Sequence, residues 1–281
     1  MPVPLHTTGK ASFDDIYDRP DPRDYYSRLA DLDYRIPELA RPHFEQQIRE
    51  CRAATGAAVL TVLDIGCSYG VNAALLRLGT DMAELSRHYG DAADLTRTEL
   101  IARDRARLAT AAQRPELRFL GMDASRPALD YAQAAGLLDD TVHADLEATE
   151  PTDEQRDLLA TADLVISTGC VGYVTEKTLA RIAAVRPQRP PWMAHFVLRM
   201  FDFAPIEAEL ATLGYRTERL PGMFEQRRFA SAGERAQVLD QLAAKGIDTA
   251  DHEDQGRLYA NLYLSRPEIP RTIASNTRNP S

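Results

Sequence analysis

The stretch VLTVLDIGCSYGVNAALL, residues 59–76, constrains the fold of this 281-residue chain more than any other. Its apolar, β-rich run at 59–65 predicts a buried strand, GCSYG predicts a sharp turn, and the alanines and leucines that follow predict a helix. Gly66 and Gly70 let the backbone bend and approach a ligand, and we expect free amide groups at the helix start to face the same spot. Asp64 lies at the strand's carboxyl end, where open α/β sheets bind their ligands.

This turn departs from two common phosphate-binding motifs. No Lys-Ser/Thr pair follows Gly70, so it is not a P-loop, and Ser68 occupies the middle glycine position of G-x-G-x-x-G. A nucleotide-like ligand without a pyrophosphate fits better. The run DIGCSYG resembles motif I of class I S-adenosylmethionine-dependent methyltransferases, whose turn holds the methionine part of the cofactor. The resemblance implies cofactor contacts at Asp64, Gly66, Cys67, Ser68, Gly70 and Asn72.

Two further motifs match that family in its order. The predicted strand at 117–122 runs into Asp123 in GMDAS, which resembles the family's ribose-binding position, with Ala124 beside it. A single carboxylate can accept hydrogen bonds from both ribose hydroxyls, although Asp123 also fits a helix N-cap. The predicted strand VHADL at 142–146 places Asp145 and Leu146 where the family contacts adenine.

The fourth predicted strand, at 162–167, is followed by TGCVGYVTEK. Two glycines at a strand's carboxyl end form a loop that comes near the reacting sulfur, so Thr168 and Gly169 are predicted to contact the cofactor. Tyr173 is the first choice for a catalytic residue, against the alternative of a structural aromatic. Cys170 is expected to be a small buried residue, because methyl transfer needs no covalent enzyme step.

The segment 13–50 is dense in tyrosine, aspartate and proline, and predicts a cap of short helices with turns at Pro20, Pro22, Pro37 and Pro42. Its four tyrosines either pack the cap onto the sheet edge or line the active site in part. In the site, a ring face would stabilise a sulfonium by roughly 0.5–2 kcal/mol of cation–π attraction. From this segment we predict catalytic roles for Tyr17, Tyr25 and Asp21. Candidates for a general base are Tyr173, His143, Asp18 and Asp21.

The amino-acid composition excludes several classes of binding partner. The net charge is −9 and the isoelectric point is near 5.2, so the chain lacks the average basic face that nucleic acid requires. No apolar run approaches the roughly 20 residues that span a bilayer, and the first residues lack a signal-peptide core. Three widely spaced cysteines indicate neither a disulfide framework nor a zinc site. We therefore expect a cytoplasmic enzyme with a small-molecule substrate, no metal, no membrane and no nucleic-acid partner.

The order of elements predicts a doubly wound, mostly parallel seven-stranded sheet of the Rossmann-like class I methyltransferase type, with an N-terminal helical cap. We assign 1–54 to the cap, 55–265 to the catalytic domain and 266–281 to a disordered tail. Asp64 and Asp123 lie 59 positions apart, farther than in most of the family. The insertion at 78–114 predicts one or two added helices, serving the cap or a contact in a homo-oligomer.

Three functions remain open on the sequence. The first is in-line methyl transfer from S-adenosylmethionine to a small molecule, in bacterial specialised metabolism. The second follows from a weaker resemblance of IYDRPDPRDYYSRLADLDYRIP and CVGYVTEKT to azetidine-2-carboxylate synthases. In those enzymes S-adenosylmethionine is itself the substrate and cyclises, releasing methylthioadenosine. The third is a non-catalytic S-adenosylmethionine-binding protein.

Overall fold

A central eight-stranded sheet organises the protein, which a computed structural model describes over residues 14–268. The strands are β1 (Leu60–Ile65), β2 (Leu117–Asp123), β3 (Asp140–His143), β4 (Leu164–Thr168), β5 (Trp192–Leu198), β6 (Tyr215–Arg219), β7 (Phe224–Arg228) and β8 (Arg257–Pro267). Their spatial order is β3-β2-β1-β4-β5-β8-β6, with β7 also paired to β8. The strands β1 to β5 are parallel, and β8 runs antiparallel to its three partners. The predicted fold class, a doubly wound and mostly parallel α/β sheet, is confirmed.

Helices cover both faces of this sheet. They are α1 (Asp14–Tyr17), α2 (Arg23–Asp31), α3 (Ile36–Thr55), α4 (Val71–Leu78), α5 (Met82–Gly90), α6 (Arg97–Thr110), α7 (Arg126–Ala135), α8 (Asp153–Leu159), α9 (Glu176–Ala184), α10 (Ala204–Thr212) and α11 (Ala232–Ala244). The helices α3, α4 and α7 pack on one face, and α8, α9 and α10 on the other. A short 3-10 helix, Glu253–Gln255, precedes β8. No helix among residues 14–268 is both long enough and apolar enough to cross a bilayer.

Three details differ from the sequence prediction. The sheet has eight strands and not seven, because the residues Phe224–Arg228 form β7 along one half of the long β8. Pro42 lies inside α3 and does not mark a turn. A proline removes one backbone hydrogen bond, and the packing of the buried face of this 20-residue helix offsets that loss. The strand β3 ends at His143, so Asp145 and Leu146 follow it in a loop.

The insertion and the cap form one packed unit. Tyr25, Tyr26 and Leu29 of α2 share an apolar cluster with Leu85 and Tyr89 of α5. Tyr26 stacks on Tyr89 with ring centroids 4.5 Å apart. The helix α5 of the insertion therefore packs against the cap, whereas α6 packs against α7 and α4. The predicted tail at 266–281 lies outside the described residues from 269 onward, and the start of the cap lies outside them before residue 14.

The cap is joined to the far end of the chain through β7. Arg228 N donates to Leu32 O (2.7 Å) and Arg35 N donates to Gln226 O (2.9 Å), so the turn between α2 and α3 borders this strand. Asp33 in the same turn accepts from Arg257 at 2.8 Å. These contacts place the cap's tyrosines over the carboxyl ends of β1 and β4.

A buried ion pair secures β7 from its other side. The guanidinium of Arg227 donates to both carboxylate oxygens of Glu234 at 2.9 and 2.6 Å, and the two side chains are 1% and 0% exposed. Glu234 also accepts from Ala230 N at 2.7 Å. Because a buried charge without its partner is strongly unfavourable, this pair anchors α11 to the strand that holds the cap.

We expect Glu234→Gln to lower the free energy of unfolding by about 3–5 kcal/mol, because it leaves the Arg227 charge buried with a neutral partner. Urea denaturation followed by circular dichroism measures the change. The matched control is Asp140→Asn, which removes a carboxylate from a partly exposed pair with Arg118 and is expected to cost at most about 1 kcal/mol. Equal losses in the two variants would contradict this assignment.

Candidate active site

Asp64 lies at the carboxyl end of β1 with no exposed surface. Its Oδ1 accepts from the Asn72 side-chain amide at 3.0 Å, and the same amide is 3.2 Å from Thr168 Oγ1. Its Oδ2 has no hydrogen-bond partner among the described residues. Burial raises the pKa of the carboxyl group to about 8, although the Asn72 bond acts in the opposite direction. This oxygen is therefore set up to receive a hydrogen-bond donor or a cation from a ligand.

The turn after β1 has its expected shape. Gly66 and Ser68 both adopt left-handed backbone angles, with φ of 65° and 49°. The amide groups of Gly66 and Cys67 donate to Met122 O on the neighbouring strand β2, at 2.8 and 3.3 Å. At the helix start, where the sequence predicts free amides, Val71 N donates to Cys67 O at 3.3 Å, and for the amides that follow it the expectation stays a prediction. A ligand here meets the backbone's shape and the Asp64 carboxylate.

Cys67 also differs from the rest of the turn. Its side chain is 2% exposed and belongs to the apolar core, and a Cβ placed on Gly121 would lie 2.7 Å from its Sγ. Burial raises the pKa of this thiol above its ordinary value. The thiol packs under the turn, so Cys67 takes part in the site through its backbone position alone.

Asp123, at the end of β2, ties the first two turns together. Its Oδ2 accepts from Ser68 N at 2.8 Å and its Oδ1 accepts from Ser125 N at 2.9 Å. Burial raises the pKa of this carboxyl group, while those amide bonds act to lower it. Each oxygen keeps a second lone pair, so a vicinal diol can still donate to both. Ala124, the next residue, is exposed beside it.

The predicted adenine end of the site is open. Asp145 is exposed, and its Oδ1 accepts from Glu147 N (3.0 Å) and Ala148 N (3.3 Å). Leu146 next to it is buried in the apolar cluster on that face. His143 is exposed, with its Nε2 2.9 Å from Ala124 O, and therefore lies at this rim. A flat ring placed here would contact an apolar wall on one side and solvent on the other.

The third edge of the site is the loop after β4. Thr168 contacts Asn72 through its hydroxyl, and Gly169 N donates to Phe196 O at 3.1 Å. Tyr173 is 36% exposed, and its charge acts on the pKa of Tyr17, which places the two phenols near each other. Cys170 is only partly buried and fits against Gly66, where a Cβ would lie 2.7 Å from the cysteine Cβ. The glycine at 66 is thus required for the two loops to close together.

Three cap tyrosines meet above Asp64, and we call Tyr17, Tyr25 and Tyr34 the tyrosine cluster. Tyr17 and Tyr25 have ring centroids 5.6 Å apart, and the Tyr34 hydroxyl lies 3.4 Å from Thr168 O. Burial raises the pKa of each phenol, and the charge of Asp64 adds to the effect on Tyr25 and Tyr34. The phenols therefore stay neutral at physiological pH. The packing alternative holds for Tyr26, which stacks on Tyr89, and the active-site alternative stays a prediction for the tyrosine cluster.

Asp21 does not belong to this cluster's chemistry. Its two oxygens receive Nε (2.9 Å) and a terminal nitrogen (2.8 Å) of Arg23, which lowers the pKa of the carboxyl group. Arg23 in turn donates to the carbonyls of Ala92 and Leu95 in the insertion. A carboxylate held by an arginine is a weak base, so this ion pair argues against Asp21 as a general base, and its catalytic role stays a prediction. Asp18 contacts Ser125 Oγ at 3.1 Å.

Sequence reasoning missed two residues that shape the site. Tyr69, inside the motif I turn, has its hydroxyl 2.9 Å from Arg19 O, and Ser125 Oγ lies 2.8 Å from Tyr17 O. A large polar aromatic at a variable position of a glycine turn was the available signal for Tyr69. For Ser125 the only signal was its place beside Asp123, where an N-cap alone explains it.

Comparisons with known proteins concern the fold. No model of a known protein family matches the sequence, and no curated protein matches it. Among solved structures, EvdMO1 matches with a TM-score of 0.40 and 14% identity, over 79% of this chain and 40% of its own length. A TehB-like SAM-dependent methyltransferase from Corynebacterium glutamicum matches with a TM-score of 0.36 and 15% identity. That match covers 82% of this chain and 100% of the other. A SAM-dependent methyltransferase from Geobacter sulfurreducens, in complex with S-adenosylhomocysteine, matches with a TM-score of 0.34 and 15% identity. That match covers 78% of this chain and 91% of the other.

One cavity of the described residues lies away from the candidate active site. It measures about 260 Å³ and adjoins the carboxyl ends of α4, α6 and α7. Its arginines are engaged within the protein, Arg77 with Asp139, Arg105 with Ala134 O and Arg114 with Glu45. The helices that follow β1 and β2 end at the opposite edge of a parallel sheet from the strands' carboxyl ends, so the cavity is remote from Asp64.

We expect Asp64→Asn to stabilise the ligand-free protein increasingly as the pH rises from about 4 to about 8. The folded wild type holds a proton on Asp64 that the unfolded chain releases near pH 4, so wild-type stability falls over this interval. The difference in unfolding free energy at pH 8 is on the order of a few kcal/mol. Urea midpoints at pH 5, 6, 7 and 8 measure it.

The control for that series is Asp163→Asn. Asp163 is also buried, but Thr61 N, Arg186 and Arg189 satisfy its carboxylate. This variant is expected to lose stability over the whole neutral range. A stability difference for Asp64→Asn that does not change with pH would rule out the raised pKa.

Proposed function

We propose that the protein is an S-adenosylmethionine-dependent methyltransferase that acts on a small molecule. The observation that carries the proposal is the pair of carboxylates at the ends of adjacent parallel strands. Asp64 is buried with one unpartnered oxygen, and Asp123 is held by two backbone amides. One carboxylate suits an ammonium group and the other suits a ribose diol. Free thiols at all three cysteines agree with a reducing, cytoplasmic setting.

The residues present fit this cofactor along its length. The unpartnered Oδ2 of Asp64 would receive the ammonium of the methionine part, and the glycine at 66 leaves room where a Cβ would meet Cys170. Asp123 would bind the ribose hydroxyls. The exposed Asp145 and the buried Leu146 would flank the adenine ring. These roles agree with the spacing of the motifs in the sequence.

The cofactor would supply an electrophilic methyl group on a positively charged sulfur. The tyrosine cluster would present ring faces and neutral phenols to that charge, since burial keeps its hydroxyls protonated. The same rings would exclude water from the region above Asp64, and Thr168, which binds the Asn72 amide, would lie with Tyr173 on the acceptor's side. Transfer then requires an acceptor atom held in line, with proximity as the main contribution to rate.

A base is required only if the acceptor is protonated. Burial brings the pKa of Asp64 to about 8, which lets this carboxyl group exchange a proton near neutral pH. His143 at the rim and Tyr173 at the loop are the other groups within the pocket's border. We favour an acceptor that does not have to lose a proton before it reacts, such as a neutral amine.

One observation favours a second function, the cyclisation of S-adenosylmethionine to azetidine-2-carboxylate. The tyrosine cluster encloses the methionine end, and Asp64 beneath it has a pKa suited to taking a proton from an ammonium. In this reaction the amine nitrogen forms a bond to the γ-carbon, the carbon–sulfur bond breaks, and the electron pair leaves on the sulfur of methylthioadenosine. Such chemistry belongs to bacterial specialised metabolism, as the second resemblance implies.

We expect Asp123→Ala to weaken S-adenosylmethionine binding by about 10–100-fold, because two charge-assisted hydrogen bonds to the ribose are lost. Isothermal titration calorimetry measures the affinity. The control is Asp130→Ala, which removes an exposed carboxylate from α7 a few residues away. If Asp123→Ala binds S-adenosylmethionine with unchanged affinity, the assignment of the ribose site is wrong.

Incubation with S-adenosylmethionine alone, followed by mass spectrometry, separates the candidate reactions. For a methyltransferase we expect binding without turnover until an acceptor is added. Methylthioadenosine together with a four-carbon cyclic amino acid, above the uncatalysed background, would establish cyclisation instead. Tight binding with no turnover against any panel of small-molecule nucleophiles would favour a non-catalytic binding protein.

A further inference from the structure

The two turns that would hold the cofactor also hold the cap. The Tyr69 hydroxyl shares its proton between Arg19 O (2.9 Å) and Ile16 O (3.1 Å), and it accepts from Arg19 N at 3.1 Å. From the second turn, Ser125 Oγ lies 2.8 Å from Tyr17 O. Residues 16–19, which we call the cap turn, are therefore bonded by both turns at once.

Tyr17 lies between these attachment points. Its backbone carbonyl accepts from Ser125, and Tyr69 donates to the carbonyls of Ile16, just before it, and Arg19, two positions after it. Its ring contacts the ring of Tyr25, with centroids 5.6 Å apart, and the charge of Asp123 contributes to the raised pKa of its phenol. The position of this catalytic candidate thus depends on a phenol that does not itself face the pocket.

Tyr69 is well placed to be a rigid support. It is 1% exposed, and its ring contacts Tyr25 and Tyr131 in edge-on arrangements with centroids 5.6 and 6.1 Å apart. The ring is thus fixed by packing, while the hydroxyl alone bonds the cap turn. Removing the hydroxyl would leave the packing unchanged and break only the attachment.

Access to Asp64 depends on this attachment. Asp64 is fully buried and Tyr25 is 3% exposed, and the ring of Tyr17 in the cap turn contacts the Tyr25 ring, so movement of the cap turn would loosen the covering of this end of the site. The opposite end, at Ala124 and Asp145, is exposed and needs no movement. Entry of the methionine part and its release would both require the bonds of Tyr69 to break.

We propose that Tyr69 is a positioning residue whose hydroxyl latches the cap turn onto the cofactor turn, placing Tyr17 over the site and controlling ligand entry and exit. The inference rests on the proposed S-adenosylmethionine site. It extends that function because it assigns the opening step to one hydroxyl group of the motif I turn.

The test uses Tyr69→Phe in the full chain, with S-adenosylhomocysteine as the probe and stopped-flow measurement of both rate constants. Losing the hydroxyl opens the cap turn more often with and without ligand, so association and dissociation both rise about tenfold while the equilibrium constant changes less than about threefold. Hydrogen exchange of residues 16–34 rises, and exchange in β1, β2 and β4 stays at the wild-type level.

Tyr215→Phe is the matched control, since it removes another buried phenol that donates to a backbone carbonyl, Pro191 O at 2.8 Å, at the far edge of the sheet. Both of its rate constants are expected to stay within twofold of wild type. If Tyr69→Phe folds poorly, Ser125→Gly tests the same latch from the second turn, because glycine retains most of the N-cap's stability.

The outcomes separate the latch from the proposed function. Wild type that fails to bind S-adenosylhomocysteine overturns the cofactor site and the latch's role with it. Wild-type binding with unchanged rate constants in Tyr69→Phe overturns the latch and leaves the cofactor site standing. A rise in dissociation alone, with affinity lost in proportion, would identify Tyr69 as a structural support of the turn and overturn the latch.

Discussion

The burial of the Asp64 carboxyl group is the constraint on which this site depends. With no exposed surface and a single amide partner, the group is unfavourable as a charged carboxylate, and its pKa rises to about 8 for that reason. The Asn72 side chain is held in place because its amide also donates to the Thr168 hydroxyl. Three segments from β1, α4 and β4 therefore meet at one group, and a positively charged ligand would relieve the penalty that they share.

The neighbouring side chains give the site a consistent electrostatic character. Asp123 adds a second carboxylate, and the tyrosine cluster adds phenols that burial keeps neutral. Arg227 is close enough to act on Tyr17 and Tyr34, but Glu234 binds its guanidinium on both sides. A region with two carboxylates and compensated arginine selects cations over anions, whichever reaction follows.

Local signals in the sequence predicted the features that local geometry determines. The strand, turn and helix around Gly66 follow from apolar periodicity and glycine spacing, and Asp123 follows from its place after a strand. The state of the turn's amides did not follow, because their acceptor, Met122 O, belongs to a different strand. The role of Tyr69 was missed for the same reason, since its partners lie about 50 positions earlier in the chain. The pairing of β7 with β8 likewise depends on tertiary packing, whereas the ion pair of Asp21 with Arg23 joins residues two positions apart and was available to local reasoning.

The border between the cap and β7 has a consequence for synthesis of the protein. Asp33 and Arg257 are 224 positions apart, and Leu32 receives its backbone bond from Arg228. The ribosome adds roughly 5–20 residues each second, so these cap residues wait on the order of ten seconds or more for their partners. During that interval the turn between α2 and α3 has no strand to bond to, although the α2 tyrosines can already pack on α5. Completion of the cap therefore reports that synthesis has passed β8, and a product that stops earlier would leave the backbone of this turn unpaired.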